Sequence, residues 1–526
     1  MTTKSARDDV VILGGGLAGL CLARQLKMAS PDLAISVVEK NRFPVPEAIA
    51  KVGESTVEIG SHYLADTLDL AEHIGDKHLR KFGIRCFFGE AQPDLAQNDE
   101  LGVSEVFAVP TFQLDRGVLE NHLHRDAVSM GVRVLDGAAV EDIDLGESQK
   151  SIRVRGDSGE LQLNSRWLVD AAGRQGLLKR KMNLEASTGH VGSAVWFRVD
   201  RHIEVDDWSG RSEWHDKCRP RGQRWLSTNH LMGAGYWLWI IPLASGVTSV
   251  GIVMDEQAWR EAQLDSREST LRWLGRHQPR LAAAIEGATW LDFARAENFS
   301  YACRQAFSEQ GWGISGEAGY FADPFYSPGT DFIAIANTFM TNMIVKQSAG
   351  ESVHVDSVIY QKLFNSFFES TLSIYQGIYG GFGDRKLMGL KMPWDYAYYW
   401  GVLSLLFFQQ TVGDIQYFRR MASELMSVQD ANFKMQALFR ERAAERNILP
   451  AQGIFLNQTE LPCLLRVNQV LVNARNLDPD TQLVENVAML RQLASCMEDV
   501  LKSDSAMPAS NVETELLGDY RKLLVV

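Results

Sequence analysis

Residues 9–26, DVVILGGGLAGLCLARQL, restrict the fold of this chain more than any other stretch. The apolar run Val10–Leu13 lies between acidic residues and glycines, as a strand buried on both faces of a parallel sheet does. Gly14, Gly16 and Gly19 follow at G-x-G-x-x-G spacing, and Leu20, Ala23 and Leu26 then recur with helical period. Strand, glycine turn and helix in this order specify the opening of a Rossmann-like βαβ unit. Each glycine answers a steric demand: a tight turn, close approach of the backbone to a pyrophosphate, and close helix–strand packing. The anion would rest at the helix N-terminus, where unbonded N–H groups and the dipole favour it. A second strand over 34–38 ends at Glu39, twenty residues after Gly19, placed to accept from a ribose hydroxyl. Gly14, Gly16, Ala18, Gly19, Glu39 and Lys40 are therefore the candidate nucleotide-binding residues of this unit.

These residues alone leave NAD and FAD both open. No second G-x-G-x-x-G occurs, so a separate nicotinamide domain is not expected. Three later segments extend the pattern. Arg116 opens a helix after a short extended stretch, where its guanidinium can reach phosphates. Leu168–Gly173 (LVDAAG), followed by Arg174, is a second apolar strand ending in small residues. Gly311–Pro324 (GWGISGEAGYFADP) turns from strand to helix through Gly316 and Glu317.

Composition bounds the function. A formal charge of −13 argues against a nucleic-acid surface, and 45% apolar residues suffice for a large core. Six cysteines without any CxxC pairing suggest reduced thiols, neither a disulfide scaffold nor a metal site. MTTKSARDD is polar and shows no secretory signal, and the longest apolar stretch, near Ala397–Phe408, is short of the roughly 20 residues that span a bilayer. No transmembrane segment and a cytoplasmic location are expected.

Residues 236–242, YWLWIIP, concentrate two indoles on one face of a strand, since positions i and i+2 share a face. Trp237, Trp239, Ile241 and Pro242 form W-x-W-x-I-P. Phe321, Pro324, Ser327 and Gly329 form F-x-x-P-x-x-S-x-G, and Lys81 opens KFGIR. Together with the fingerprint upstream, these motifs resemble the flavin-dependent halogenases within the FAD-dependent aromatic hydroxylase superfamily.

The resemblance implies an α/β fold with a Rossmann-like FAD-binding domain of the aromatic hydroxylase type, an inserted antiparallel sheet and a C-terminal helical region. It implies FAD as cofactor, bound also by Arg116, Gly316, Glu317 and Gly329. Glu317 stands where an aspartate would be expected. FADH2 would come from a separate NAD(P)H flavin reductase, and oxygen and chloride or bromide would be consumed. Halide would be oxidised at the flavin to hypohalous acid, which must travel a narrow, rigid passage to reach Lys81, with the bulky Trp237 and Trp239 and with Ile241 and Pro242 walling flavin from substrate as a barrier and not as reactants. There an ammonium can orient hypohalous acid by hydrogen bonding, or a neutral amine can form a haloamine; burial lowers a lysine's pKa and permits either.

Two positions depart from the tryptophan-specific members. Tyr326 replaces the glutamate that precedes the serine there, which argues against free tryptophan and toward an electron-rich phenol, resorcinol or pyrrole, free, carrier-bound or lipophilic. Tyr326 and Ser327 then count with Lys81 as candidate catalytic residues. Pro328 has no N–H, so a halide is left with Gly329 and Thr330 as donors. Losing one charge-assisted donor is worth roughly 1.5–3 kcal/mol, which weakens chloride binding about ten- to a hundredfold. A monooxygenase on the same frame is the alternative, and a non-catalytic flavoprotein the third reading.

Alternating patterns such as SAVWFRVD and TSVGIVMD predict antiparallel strands over 186–299. The FAD domain is assigned to 1–185 and 300–345, and a helical region to 346–526. The stretch 206–225 reads as a long loop, either a lid or a surface insertion. The aromatic density between Phe364 and Phe408 reads as core or as the wall of an apolar tunnel.

Overall fold

The computed structural model describes residues 7–47, 51–147, 149–157, 159–502 and 511–520. The polar leader, residues 1–6, lies outside the described residues. The chain divides into two compact units, the first Met1–Lys77, Leu114–Thr188 and Ser300–Phe368, the second His78–Gln113, Gly189–Phe299 and Glu369–Val526.

The first unit is built on a parallel sheet. Arg7–Leu13 lies at its centre, between Gly159–Asp170 and Ile35–Val38, with Trp312–Ile314 and Arg133–Leu135 outside them. Val10 to Leu13 are fully buried, as a strand covered on both faces requires. Lys150–Gly156 continues the sheet antiparallel to Gly159–Asp170. Helix Leu17–Ala29 packs against helices Arg116–Ser129 and Gly329–Ser348. A buried polar chain locks the last of these in place. Asn337 donates to the Ala18 carbonyl and to Tyr63 Oη at 3.1 Å each, Tyr63 donates to Gln25, and Ser315 donates to Asn337. Phe364 sits edge-on to Phe307, Tyr320 and Phe332 with centroids 4.9–5.6 Å apart, so this part of the aromatic run packs ring on ring.

The second unit contains an eight-stranded sheet. Its antiparallel part runs Ala294–Ala296, Ser193–Val199, Thr248–Met254, Tyr236–Pro242, Thr228–Gly233. Ile84–Phe88 then joins parallel to Thr228–Gly233, followed by Asp99–Gly102 and Phe455–Asn457. Distant segments thus extend the predicted sheet. Val195, Phe197, Leu231, Leu238, Ile240, Val250 and Ile252 line one face and bury against Trp273, Leu274 and Leu281 of two helices. Burial of such side chains contributes about 1.5–3 kcal/mol each.

The stretch 206–225 is pinned rather than a free lid. Glu100 accepts from Trp214 Nε1 at 2.8 Å and from Arg224 Nε at 2.9 Å, and pairs with Arg85. Burial opposes the charge on Glu100, yet Arg85 and Arg224 hold its carboxyl below the usual carboxylate range. The Arg224 guanidinium also covers the Trp214 ring at 3.7 Å. Among the helices that follow, Lys391 is fully buried and donates to Asp395 at 2.8 Å and to Gln436 at 2.7 Å. Gln436 in turn donates to Asp395 at 2.7 Å. No helix among the described residues is long and apolar enough to cross a membrane.

Candidate functional site

In the first unit the glycine turn has the geometry a dinucleotide needs. Gly14 holds φ +107°, and a Cβ there would stand 2.3 Å from the Ala171 carbonyl oxygen. A Cβ on Gly19 would stand 2.0 Å from the Gly14 carbonyl oxygen. Gly16 precedes helix Leu17–Ala29, and no side chain caps its N–H groups. Above Gly16 the space is open as far as Lys51 Nζ, 3.8 Å from an added Cβ. Ala18 is buried under this turn.

Glu39 accepts from Gly15 N–H at 2.7 Å and from the backbone and side chain of Asn41 at 2.8 Å, which fixes its carboxylate beside the turn. Lys40 is exposed. Arg116 donates to the Val52 carbonyl at 2.8 Å and to Glu120 at 2.7 Å, while its buried Nε has no hydrogen-bond partner among the described residues. An uncapped helix N-terminus, a glycine without a side chain in the way and an unsatisfied guanidinium N–H suit an anionic dinucleotide such as FAD.

Gly316 holds φ +62° and opens the turn Gly316–Ala318. The Glu317 carboxylate accepts from Arg174 Nε at 3.2 Å, and the Arg174 guanidinium lies over Phe321 at 4.7 Å. The arginine after LVDAAG and the glutamate of the later turn are therefore ion-paired, a link that spacing did not reveal.

The second motif bends sharply. Tyr326 and Ser327 take φ of +64° and +58°, a left-handed pair of non-glycine residues that costs on the order of 1–3 kcal/mol apiece. Ser327 N–H donates to the Pro324 carbonyl at 3.1 Å, and Phe325 N–H donates to Asp323 at 2.9 Å. Pro328 then serves as N-cap of helix Gly329–Ser348, a place where its missing N–H breaks no helical bond. No side chain caps this 20-residue helix, and a Cβ on Gly329 would meet nothing within 4 Å. Thr330 is buried, and the neighbouring Asp331 accepts from Gly60 N–H at 2.8 Å.

In the second unit Lys81 is buried, 3% exposed, just before strand Ile84–Phe88. Its N–H donates to the Thr111 carbonyl at 2.8 Å, and the next residue, Phe82, donates to the Leu226 carbonyl at 3.0 Å. Trp237 and Trp239 lie on the sheet face opposite the large apolar cluster, with ring centroids 5.7 Å apart. Trp239 Nε1 donates to Ser249 at 3.2 Å. Ile241 and Pro242 end the same strand, both buried. Ser249, Gly251 and His230 share this face and were missed. The two-residue turn Ala234–Gly235 was the available signal, because it sets His230 opposite Trp239.

The family model for tryptophan halogenase matches residues 9–87 and 91–356. The chain belongs to the tryptophan halogenase family. It is an enzyme, a flavin-dependent halogenase. It is 26% identical over 430 residues to the flavin-dependent halogenase chlA of Dictyostelium discoideum, covering 75% of this chain and 70% of that one. It is 25% identical over 342 residues to a 1H-pyrrole-2-carbonyl-[peptidyl-carrier protein] chlorinase of Pseudomonas fluorescens, covering 61% and 72%. Among solved structures, halogenase PltM in complex with phloroglucinol and FAD aligns with a TM-score of 0.68 at 16% identity, over 98% of each chain. That likeness shows the fold of a halogenase along the chain, the C-terminal helices included.

Proposed function

We propose that this halogenase uses FADH2, oxygen and halide to make hypohalous acid, and places the halogen on an electron-rich phenol, resorcinol or pyrrole ring rather than on free tryptophan. When bound, reduced FAD with oxygen supplies the two-electron oxidation of halide. Gly14, Gly16, Ala18 and Gly19 hold the pyrophosphate, Glu39 the ribose, and Arg116, Lys40, Gly316, Glu317 and Gly329 the rest of the cofactor. Gly329 and Thr330 N–H groups bind halide at the positive end of their helix. Trp237, Trp239, Ile241 and Pro242 exclude water and hold the oxidant away from other groups. Lys81 donates to the oxygen of hypohalous acid, so halogen is the end presented to the ring. The ring carbon bonds to halogen, its proton is lost, and the hypohalous oxygen leaves as water. Tyr326 shapes the pocket, since a phenol or pyrrole supplies its own electrons and needs no glutamate, and Ser327 sets the strained turn before the halide donors.

The burial of Lys81 carries this reading, because a solvated lysine would release the oxidant to water. The pyrrole-type relatives support a ring tethered to a carrier protein. FADH2 would arrive from a separate NAD(P)H reductase, in the cytoplasm.

The test is turnover with FADH2, oxygen, bromide or chloride and a reactive phenol, a free pyrrole or a carrier-tethered pyrrole. Wild type is expected to give a halogenated ring, and Lys81→Met to oxidise flavin at the same rate with no product. Halogenation by Lys81→Met at the wild-type rate would overturn the reading. Pro328 favours a second one, a monooxygenase on this frame. Labelled oxygen in the product, independent of halide, would establish it.

A further inference from the structure

His230 lies on the first strand of the sheet hairpin, Thr228–Gly233, opposite Trp239 across the ladder and beside Cys86 on the neighbouring parallel strand. Its ring stands edge-on to Trp237, centroids 5.0 Å apart and planes 86° apart, and is 3% exposed. Nδ1 lies 3.2 Å from the Leu238 carbonyl oxygen. A carbonyl only accepts, so Nδ1 carries the proton and Nε2 carries the lone pair. The residues leading into this strand are tied to those leading out of Lys81. Phe82 N–H donates to Leu226, Ser227 donates to the Phe82 carbonyl at 2.9 Å, and Thr228 N–H donates to Gly83 at 3.0 Å. The loop that carries Lys81 is therefore tied to the segment leading into the strand of His230, both residues are 3% exposed, and the Lys81 charge lies close enough to act on the imidazole.

We infer that His230 is a positioning residue for Lys81, its Nε2 lone pair accepting from the ammonium and aiming the remaining N–H bonds toward the oxidant. The inference rests on the halogenase reading of Lys81 given above. A buried ammonium needs acceptors, and a four-carbon side chain needs a fixed one if it is to point consistently. The imidazole can supply this only while neutral. Burial pushes it down to about 3, and the Lys81 charge adds to that, so the lone pair is present throughout the neutral range. The Trp237 edge and the Leu238 carbonyl hold the ring against rotation. This links W-x-W-x-I-P to Lys81: the first indole of the motif braces the histidine that braces the lysine.

Nitrogen-15 NMR of the wild-type full chain tests the tautomer without any substitution. An unprotonated Nε2 and a protonated Nδ1 are expected from pH 7 down to about pH 4, and the reverse tautomer, or an imidazolium at pH 7, would overturn the inference. The second measurement follows the Lys81 Nζ resonance, assigned by its loss in Lys81→Met. His230→Phe keeps a ring but removes the acceptor and should broaden or shift that resonance, whereas His230→Asn, which restores an acceptor, should recover it in part. An unchanged Lys81 resonance in His230→Phe sinks the proposal. In turnover, His230→Phe should lower halogenated product at least tenfold with flavin oxidation unchanged. The missing oxidant should appear as free hypohalous acid, trapped by monochlorodimedone. If wild type halogenates nothing while the Lys81 resonance still responds to His230, the halogenase reading fails and the pair stands.

Discussion

The indole of Trp239 lies over Gly251 of the adjacent strand, so closely that a Cβ there would stand 2.1 Å from ring atom Cζ2. The strand register pairs the two residues directly, and the missing side chain is what gives the indole its place. Gly251→Ala is expected to push the ring off its site. An overpacked core site costs about 1–3 kcal/mol. Denaturant unfolding should show that loss, and tryptophan emission should shift because Trp239 no longer donates to Ser249. Unchanged stability and emission would mean that the indole has room to move.

Pro328→Ala restores a backbone N–H ahead of Gly329 and Thr330. One more donor to an anion is worth roughly 1.5–3 kcal/mol, so the KM for chloride should fall about ten- to a hundredfold. Bromide, softer and less hydrated, should respond less. Steady-state halogenation at varied halide checks this, and a chloride KM that does not move would place the halide elsewhere.

Lys391→Met removes the cation that Asp395 faces inside the helical region. A buried carboxylate left without its partner costs about 3–5 kcal/mol, to be read from the denaturation midpoint. Replacing Asp395 by leucine as well should return most of that loss, since the uncompensated charge is then gone. A double variant no more stable than the single one would show that packing, not charge, is at stake.

Asp170 ends the strand beside the glycine turn, fully buried, and accepts from Ala172 and Leu178 N–H groups at 3.0 and 2.7 Å. Burial nonetheless pushes its carboxyl up to about 6. Because the folded value lies above the unfolded one, its contribution to stability is fully present below about pH 4 and is lost as pH rises through about 6. The change is on the order of 3 kcal/mol. Urea unfolding from about pH 4 to pH 7 should show it as a downward slope that is absent in Asp170→Asn. Parallel profiles for the two proteins would contradict it.

Some of this protein is decided by neighbours in sequence. Gly14, Gly16 and Gly19 act through local backbone geometry, so strand, turn and helix could be read from about twenty residues. Period-two alternation placed Trp237 and Trp239 on one face for the same reason, because a strand turns its side chains without reference to the rest of the fold. Pro328 announced its missing N–H wherever it stood. The Arg174–Glu317 pair, Gly251 beneath Trp239 and the anchoring of 206–225 on Glu100 belong to another class. Each joins residues whose separation in the chain carries no period, so strand order and register alone create the contact. Burial then follows from packing: the motif around Lys81 names the residue, but only the assembled sheet and its tied loops take its side chain out of water.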